Sequence, residues 1–537
     1  MRHVLRALLL GTVTALPLYV QAADLDTIFK AYTPQTPGCA VGVEKAGQVV
    51  TRAYGSADLE HAAPNTPDTI FEAGSLSKQF TATAILLLAQ DGKLALTDDI
   101  RKYLPEMPDY GTPITINNLL SHTSGLRDWG AVSGIGGWPR TTRIHTNTEV
   151  LQIAARQKTL NYPPGSAYSY TNTGYNLAAI IVERASGMPL AQFTKEHMFA
   201  PLGMTKTAWR DDFRRIVPGR AIAYDAVPGG FAQDMPFEDA YGNGGLLTTV
   251  GDLLIWNDAL TANKLGAFVT SHLEEQAVLT DGRKIYYARG LMTGKFNGAP
   301  EIYHSGSTAA YRAWIGRYPA QGVGVAVLCN LDNVSAVQLA HAAVQQYLPP
   351  APAAIKSKAA PAAELARFAG LYVDERSGGV LRFAPGKGTL KRLGDSPDDT
   401  HATDLVRVAA HRYKNGAAEL DFNTGMVESR TPDGETVSYR RVEPYKPGAA
   451  EMQSLAGSYA SAEADATLVI SVDGDRLVLT PGNRPSAAAT LTPIYRDAFL
   501  NEDGILRIVR GADGQVQGIR FTRPRVYNLV FDRMAGP

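Results

Sequence analysis

A change in composition at residues 349–362 divides this 537-residue chain into two unlike parts. The segment consists almost entirely of proline, alanine, lysine and serine, which is typical of a linker. Beyond it, the sequence ELARFAGLY at 364–372 is echoed by EMQSLAGSY at 451–459. Each copy continues through short alternating runs broken by Asp-Gly and Gly-Asn turns. These repeats predict two small antiparallel β-barrels or sandwiches, at residues 363–446 and 449–537.

The part before the linker, residues 23–348, is predicted to form one α/β unit. Two alternating runs within residues 38–53 flank Ala-Gly-Gln at 46–48, which indicates a β-hairpin. An alanine- and leucine-rich pattern at 75–90 predicts a helix, and three strand-like runs lie within 301–330. Since strands occur at both ends of the unit with helices between them, we predict one sheet closed by the two ends.

The first residues predict export. Basic residues flank an apolar run at residues 7–20, and small residues follow, so residues 1–22 are predicted to be a signal peptide. The run is shorter than the ~20 residues that span a bilayer, which favours cleavage over an uncleaved anchor. We therefore expect a periplasmic or secreted protein with no membrane anchor after cleavage. Basic and acidic residues balance at 52 each, so no net field would attract nucleic acid.

The chain contains two cysteines, Cys39 and Cys329, and both lie in strand-like runs. Two cysteines cannot build a disulfide scaffold, and without clustered histidines they do not form a zinc site. Export permits a disulfide between them. We favour the alternative of two buried free thiols.

Three short motifs follow one another: S-L-S-K with Ser75 and Lys78, Y-T-N with Tyr170 and Asn172, and H-S-G with His304. A serine hydroxyl needs a base within hydrogen-bond reach to act as a nucleophile. Ser75 and Lys78 lie three residues apart at the start of the predicted helix, so their side chains share one face. Lys78 can act as a base if burial or a nearby cation lowers its pKa. Tyr170 could share the proton if Lys78 and His304 acidify its phenol. The set predicts a serine hydrolase with an acyl-enzyme intermediate.

With these motifs, the chain resembles the serine β-lactamase and penicillin-binding-protein superfamily over about residues 38–347. The resemblance is strongest to the branch of class C β-lactamases, D-aminopeptidases and esterases. It implies an α/β (α+β) fold, with a β-lactamase/transpeptidase-like catalytic domain followed by two small antiparallel β-barrel domains. It also implies Ser75 as nucleophile and Lys78 and Tyr170 as base and acid, with no metal or organic cofactor.

The resemblance assigns further residues. It implies that Asn172 orients the substrate through its amide. It implies an oxyanion hole made by the backbone N–H groups of Ser75 and Ser307. His122, in a segment that resembles a recurrent loop of the branch, is interpreted as structural.

One departure from the family pattern bears on the substrate. Penicillin-recognising members carry lysine where this chain has His304, and a histidine of ordinary pKa is mostly neutral at pH 7. Attraction for a substrate carboxylate therefore weakens, and the H-x-G form resembles D-aminopeptidases and some esterases. In D-aminopeptidases a loop of the last domain reaches toward the active site. Segments 483–489 and 497–503 are the two candidates for that loop here.

We therefore predict a serine hydrolase that cleaves small peptides or amides and releases an N-terminal residue, in particular a D-amino acid. A carboxylesterase of the same superfamily is the near alternative, and a β-lactamase or DD-peptidase ranks third because of His304. A non-enzymatic protein that binds peptides or cell-wall fragments is a different class, but a pure binder does not need the serine nucleophile. A homo-oligomer is compatible with the sequence.

Overall fold

The structure is a computed structural model that describes residues 22–535, except 141, 354–356, 398, 400, 424 and 432–434. The predicted signal peptide, residues 1–22, lies outside the described residues apart from its last position. None of the helices in the described part of the chain has the length and apolar character needed to cross a bilayer.

A six-stranded antiparallel sheet forms the centre of the first domain. In spatial order its strands are Met292–Phe296, Ala299–Thr308, Tyr311–Tyr318, Val323–Cys329, Cys39–Lys45 and Gln48–Tyr54. The strand Val323–Cys329 is buried along its whole length, and it pairs with Cys39–Lys45 so that Val41 faces Val327. The prediction that the two ends of the unit close one sheet is confirmed.

Helices cover both faces of this sheet, because side chains that alternate along each strand give it two apolar faces. On one face, Ser77–Gln90 and Val250–Thr261 contribute to the main hydrophobic core. On the other face, Phe29 and the helix Ala336–Val344 pack against the strands. The α-helices of the described residues are Ala22–Ile28, Ser77–Gln90, Ile116–Leu120, Trp129–Ile135, Asn147–Ala155, Asn172–Ser186, Leu190–Thr194, Ala200–Leu202, Val250–Thr261, Ala267–Glu274, Ala336–Val344, Ala362–Phe368 and Ala449–Leu455.

Short strands and tight helical turns connect these elements. The short strands are Ser56–Asp58, Ala63–Pro64, Phe71–Glu72, Ala208–Trp209, Tyr224–Val227, Gly230–Gln233 and Leu246–Thr248. The 3-10 turns are Gly74–Leu76, Ile100–Lys102, Pro319–Gln321, Gln345–Tyr347 and Pro485–Ala487, and Lys195–Phe199 forms a π-helix. The strand Leu246–Thr248 pairs with Phe71–Glu72, which brings the loop before it beside the Gly74–Leu76 turn.

The two tail segments form two antiparallel sheets that curve into barrels. The first has nine strands, in spatial order Ala402–Asp404, Leu390–Leu393, Val380–Pro385, Gly370–Asp374, Thr436–Val442, Met426–Arg430, Ala418–Asn423, Arg412–Asn415 and Val406–Ala409, and it is nearly closed. The second is a closed barrel of eight strands: Gly457–Ser461, Ala466–Asp473, Arg476–Pro481, Ala489–Tyr495, Ala498–Asn501, Gly504–Arg510, Val516–Arg523 and Val526–Arg533. The predicted fold class is confirmed.

The repeated sequence in the tail corresponds to a repeated structure. In each copy a short helix is followed two residues later by a glycine with positive φ, Gly370 (145°) or Gly457 (151°), which begins the first strand. In each copy the strand's tyrosine hydroxyl donates to the carbonyl four residues earlier, from Tyr372 at 3.1 Å and from Tyr459 at 2.7 Å. The tyrosine therefore fastens the helix to the strand in both copies.

The closed barrel shares a hydrophobic core with the first domain. Trp129 and Ile135 of the first domain pack in the same cluster as Phe499 and Leu529 of the barrel. Next to this cluster, the buried Arg127 guanidinium lies 3.0 Å from the Glu463 carboxylate across the interface. The barrel is thus fixed to the catalytic domain by an apolar core and a buried ion pair.

The two cysteines form a disulfide, and our preference for free thiols is wrong. Cys39 and Cys329 lie directly opposite each other on paired strands, with 4.0 Å between their Cα atoms. Composition and local pattern could not show this, because the pairing depends on the register between two strands 290 residues apart.

Replacing Cys39 and Cys329 together by alanine should lower the free energy of unfolding by about 2–5 kcal/mol, because the unfolded chain regains the freedom of a very long loop. Urea unfolding of both proteins, with and without a reductant, measures the difference. The double variant serves as the control, since its curve should not respond to reductant. A wild-type curve that stays unchanged after both thiols are shown to be free would contradict the prediction.

Candidate active site

Ser75 lies in a tight turn that precedes the long helix. The turn Gly74–Leu76 is 3-10, and the α-helix begins only at Ser77, two residues later than predicted. The Ser77 hydroxyl donates to the Gly74 carbonyl at 2.6 Å and accepts from the Leu246 N–H at 3.0 Å. These two bonds hold the turn against the neighbouring strand, so that the partly exposed Ser75 side chain faces a pocket.

The Lys78 amine is fully buried beside Ser75. Its Nζ lies 3.1 Å from Ser75 Oγ, and it donates to Asn172 Oδ1 at 2.9 Å and to the Asn243 carbonyl at 2.6 Å. Burial lowers the pKa of Lys78 well below its usual value, and the positive charge of Arg525 lowers it further. The lysine is therefore suited to accept a proton from the serine hydroxyl.

Tyr170 borders the same site. The Lys78 amine lies 4.8 Å from the centre of the Tyr170 ring. The Tyr170 hydroxyl lies near Ser75 but has no hydrogen bond of ordinary geometry to any described residue. Burial raises the pKa of Tyr170 above its usual value. A role for Tyr170 as a base would require an acidified phenol, but burial outweighs the charge of Arg525, so the raised pKa favours a role as proton donor.

Asn172 is positioned by the start of its helix. Thr171 caps the helix Asn172–Ser186 by accepting from the Thr173 N–H, and the Asn172 N–H donates to Asp128 Oδ2 at 2.7 Å. The side-chain oxygen of Asn172 is left to accept from Lys78. Because this amide borders the pocket, its nitrogen can meet a substrate oxygen.

His122 lies behind this loop. It is fully buried, its ring centre lies 4.2 Å from that of Tyr170, and its Nδ1 accepts from the Thr171 N–H at 3.2 Å. Burial and the charge of Lys78 lower the pKa of His122. His122 is not part of the pocket wall, which fits the structural interpretation.

His304 lies on the strand Ala299–Thr308 and is almost fully buried. Its Nδ1 lies 2.6 Å from the Ser305 carbonyl and its Nε2 lies 3.2 Å from the Tyr287 hydroxyl. The carbonyl can only accept, so we assign the ring proton to Nδ1, and Nε2 accepts from Tyr287. Burial, reinforced by Lys78, lowers the pKa of His304 to about 3. This side chain is neutral at pH 7.

The strand that carries His304 runs unusually close to the nucleophile turn. A Cβ on Gly306 would lie 2.0 Å from the Ala73 carbonyl, and one on Gly74 would lie 2.7 Å from the Ser307 nitrogen. Gly74 also has a φ of 53°. The two glycines therefore permit an approach that places Ser307 opposite Ser75 in the pocket, where their N–H groups can serve an oxyanion.

These residues surround one pocket of about 720 Å³. Its described lining residues include three arginines and no carboxylate or cysteine, and His304 is the one histidine. They are Gly74, Ser75, Arg140, Tyr168, Tyr170, Asn172, Asn243, Gly244, Tyr286, Met292, His304, Ser305, Gly306, Ser307, Thr308, Arg312, Ala313, Val334, Ser335, Ala336, Val337 and Arg525. The structure thus brings together every site residue predicted from sequence except the buried Lys78, whose amine lies just behind the wall.

One residue of the pocket wall, Arg525, was not predicted. It lies in the turn between the last two strands of the closed barrel, and it is the one tail residue among the described lining residues. Segments 483–489 and 497–503 are therefore not the part of the tail that reaches the site; Asn483 instead contacts the Gly136 carbonyl at 3.0 Å. The sequence around Arg525 carries no catalytic motif that would have drawn attention to it.

A cluster of possible metal ligands lies elsewhere. Asp58, Glu60 and His61 place one ligand atom each within 4.8 Å of one another, and two of the three side chains are exposed. None of them borders the pocket. Acidic surface groups commonly lie together without holding an ion, so the cluster is not assigned a role.

Comparison with known proteins agrees with this geometry. Residues 25–348, more than half of the chain, match the family described as Beta-lactamase. The chain belongs to the beta-lactamase family. The chain is accordingly a serine hydrolase, and the proteins similar to it include a D-aminopeptidase and a D-amino acid amidase. A D-aminopeptidase from Cereibacter sphaeroides is 30% identical to it over 465 residues, which are 83% of this chain and 85% of the relative.

Solved structures share the fold of this beta-lactamase family member. The octameric penicillin-binding protein homologue from Pyrococcus abyssi superposes with a TM-score of 0.57 at 23% identity, covering 78% of this chain and 99% of the homologue. A D-amino acid amidase from Ochrobactrum anthropi SV3 gives a TM-score of 0.52 at 21% identity, covering 60% of this chain and 97% of the amidase. The first match extends beyond the catalytic domain into the tail.

Replacing Asp128 by asparagine should move the acid limb of Ser75 reactivity to lower pH. The Asp128 carboxylate raises the pKa of Lys78, so its loss lets Lys78 stay neutral at lower pH. The rate of labelling by a fluorophosphonate probe, measured across pH, reports this limb. Asp99→Asn, at a distant helix cap, is the control and should leave the limb in place. A limb that moves to higher pH would exclude Lys78 as the base.

Proposed function

We propose that this protein hydrolyses short peptides and amides through an acyl-Ser75 intermediate and releases their N-terminal residue, in particular a D-amino acid. One observation carries the proposal: the last turn of the closed barrel forms a wall of the pocket beside Tyr170. A wall at this point limits the length of the part of the substrate that departs, which favours short peptides and small amides. The similarity to D-aminopeptidases over most of the chain supports the same activity.

Acylation begins with the Ser75 hydroxyl. The neutral Lys78 amine, 3.1 Å away, takes the hydroxyl proton while Oγ attacks the carbonyl carbon of the substrate. The carbonyl oxygen becomes an oxyanion, which the N–H groups of Ser75 and Ser307 stabilise. Collapse of this intermediate breaks the C–N bond. The Tyr170 hydroxyl donates its proton to the departing nitrogen and regains one from the Lys78 ammonium.

Deacylation reverses the roles of the same groups. A water molecule gives a proton to the Lys78 and Tyr170 pair and attacks the ester carbon. The bond to Ser75 Oγ breaks and the hydroxyl is restored with that proton. One water is consumed, and the products are the released N-terminal amino acid and the shortened peptide or amine.

The neutral His304 argues against penicillins as the preferred substrates. A cation at this place would attract a carboxylate held against the strand Ala299–Thr308, and a neutral imidazole does not. The Nε2 of His304 instead accepts from Tyr287, so the pair serves to fix the strand beside the site.

We also infer export to an oxidising compartment and assembly into oligomers. The disulfide between Cys39 and Cys329 supports export, because such bonds persist outside the cytoplasm. The octameric state of the Pyrococcus abyssi homologue supports oligomerisation. Fractionation of a cell that expresses the full chain and light scattering of the purified protein test the two inferences.

The decisive measurement compares D-alanine p-nitroanilide with its N-acetylated form and with its L-isomer. The proposal predicts turnover of the free-amine D-substrate, with the other two at least about tenfold slower. Ser75→Ala should reduce the rate by about 10⁴-fold or more, because the nucleophile is gone. Its thermal unfolding should remain cooperative, which separates loss of chemistry from loss of fold. Turnover of esters but of no anilide would contradict the proposal in favour of an esterase.

A further inference from the structure

The Arg525 guanidinium is exposed in the pocket with no protein group to neutralise it. It lies 4.8 Å from the centre of the Tyr170 ring. Among the described residues it has neither a hydrogen-bond acceptor nor a carboxylate within ion-pair distance. The other two arginines of the pocket differ, because Arg140 pairs with Glu238 and Arg312 donates to two backbone carbonyls, at 2.7 and 2.9 Å. Arg525 is therefore the arginine of the pocket whose guanidinium has no hydrogen-bond or ion-pair partner among the described residues.

The turn that carries Arg525 is held by the catalytic domain. The Arg525 carbonyl accepts from the Asp128 N–H at 3.2 Å and from Asn161 Nδ2 at 3.0 Å. Two residues later, the Tyr527 N–H donates to Asn161 Oδ1 at 2.8 Å, and the Tyr527 carbonyl accepts from Arg127. The φ of Arg525 is 74°, a region that costs free energy for a residue with a side chain. These bonds fix the backbone there and hold the side chain on the Tyr170 side of the pocket.

Its position relative to the reaction defines what it can bind. In the proposed mechanism the Tyr170 hydroxyl gives its proton to the departing nitrogen, so the leaving residue lies on the Tyr170 side of Ser75. A group attached to that residue comes close to the Arg525 guanidinium. Because a guanidinium binds a carboxylate through two parallel hydrogen bonds, an α-carboxylate on the leaving residue is the group that fits.

We propose that Arg525 binds the α-carboxylate of the residue that leaves, and that the preferred substrates are therefore short peptides with a free C-terminus, above all dipeptides with an N-terminal D-residue. This inference rests on the proposed function. Through Arg525, the closed barrel supplies a cation for the substrate carboxylate, a charge that the neutral His304 does not provide. A substrate amide without a carboxylate would be cleaved by the same chemistry but bound less tightly.

The test compares D-alanyl-glycine with D-alanyl-glycinamide, which differ only in the terminal carboxylate. For the wild type, kcat/KM should be at least about tenfold higher for the acid, mainly through a lower KM. In Arg525→Gln this ratio should fall toward one, and Arg525→Lys should retain part of it. Arg525 also acts on the pKa of Lys78, but that change affects both substrates, so the ratio isolates the carboxylate.

Arg523→Gln is the matched control, since Arg523 lies on the same hairpin, faces Asp503 and does not border the pocket. It should keep the wild-type ratio. A ratio that is the same in Arg525→Gln and in the wild type would overturn the inference.

If neither peptide is cleaved by the wild type, the proposed function fails, and binding then decides this inference. Calorimetric titration of Ser75→Ala with the same two peptides should show tighter binding of the acid, and the double variant with Arg525→Gln should lose the difference. Equal affinity of Ser75→Ala for the two peptides would overturn the role of Arg525.

Discussion

The site depends on keeping the Lys78 amine shielded from solvent and out of contact with carboxylates. The Lys78 amine contacts three oxygen atoms that come from three separate elements, the nucleophile turn, the start of a helix and a loop. None of the three is a carboxylate. The nearby Asp128 carboxylate accepts from the Asn172 backbone N–H, and it also caps the helix Trp129–Ile135. A carboxylate in contact with Lys78 would stabilise the charged form of the amine. Because the oxygens of Asp128 accept from backbone N–H groups, Lys78 keeps its ability to accept a proton.

The closed barrel contributes directly to this site. Its core continues into the first domain around Trp129, and its last turn forms part of the pocket wall through Arg525. The same short stretch of the catalytic domain, Arg127 and Asp128, binds the turn and positions Asn172. The stability of the barrel and the geometry of the site are therefore coupled, and damage to the barrel core would be observed as a loss of activity.

The sequence was sufficient to predict the fold class and most of the residues proposed for the site. Short motifs with fixed spacing identified five of these residues: Ser75, Lys78, Tyr170, Asn172 and His304. The repeat in the tail could be found because each copy needs the same glycine and tyrosine to join a helix to a strand.

What the sequence could not give depends on contacts between distant segments. The disulfide follows from the register of two strands, and the role of Arg525 follows from how a barrel hairpin docks on another domain. The sequence left the role of Tyr170 as acid or base open for a related reason. A motif shows which charges lie near a group in sequence, but the pKa depends on how completely the folded core removes water from it.

The catalytic domain can complete its fold only after the last strand of its central sheet has been synthesised. The strand Cys39–Lys45 is made early, yet one of its two neighbours, Val323–Cys329, follows 290 residues later. During synthesis this early strand must keep an open, apolar edge, which is a surface that pairs readily with other chains. Contacts between such distant segments slow folding. Once both strands are present, the disulfide between Cys39 and Cys329 joins the first strand of the central sheet to the last one along the chain.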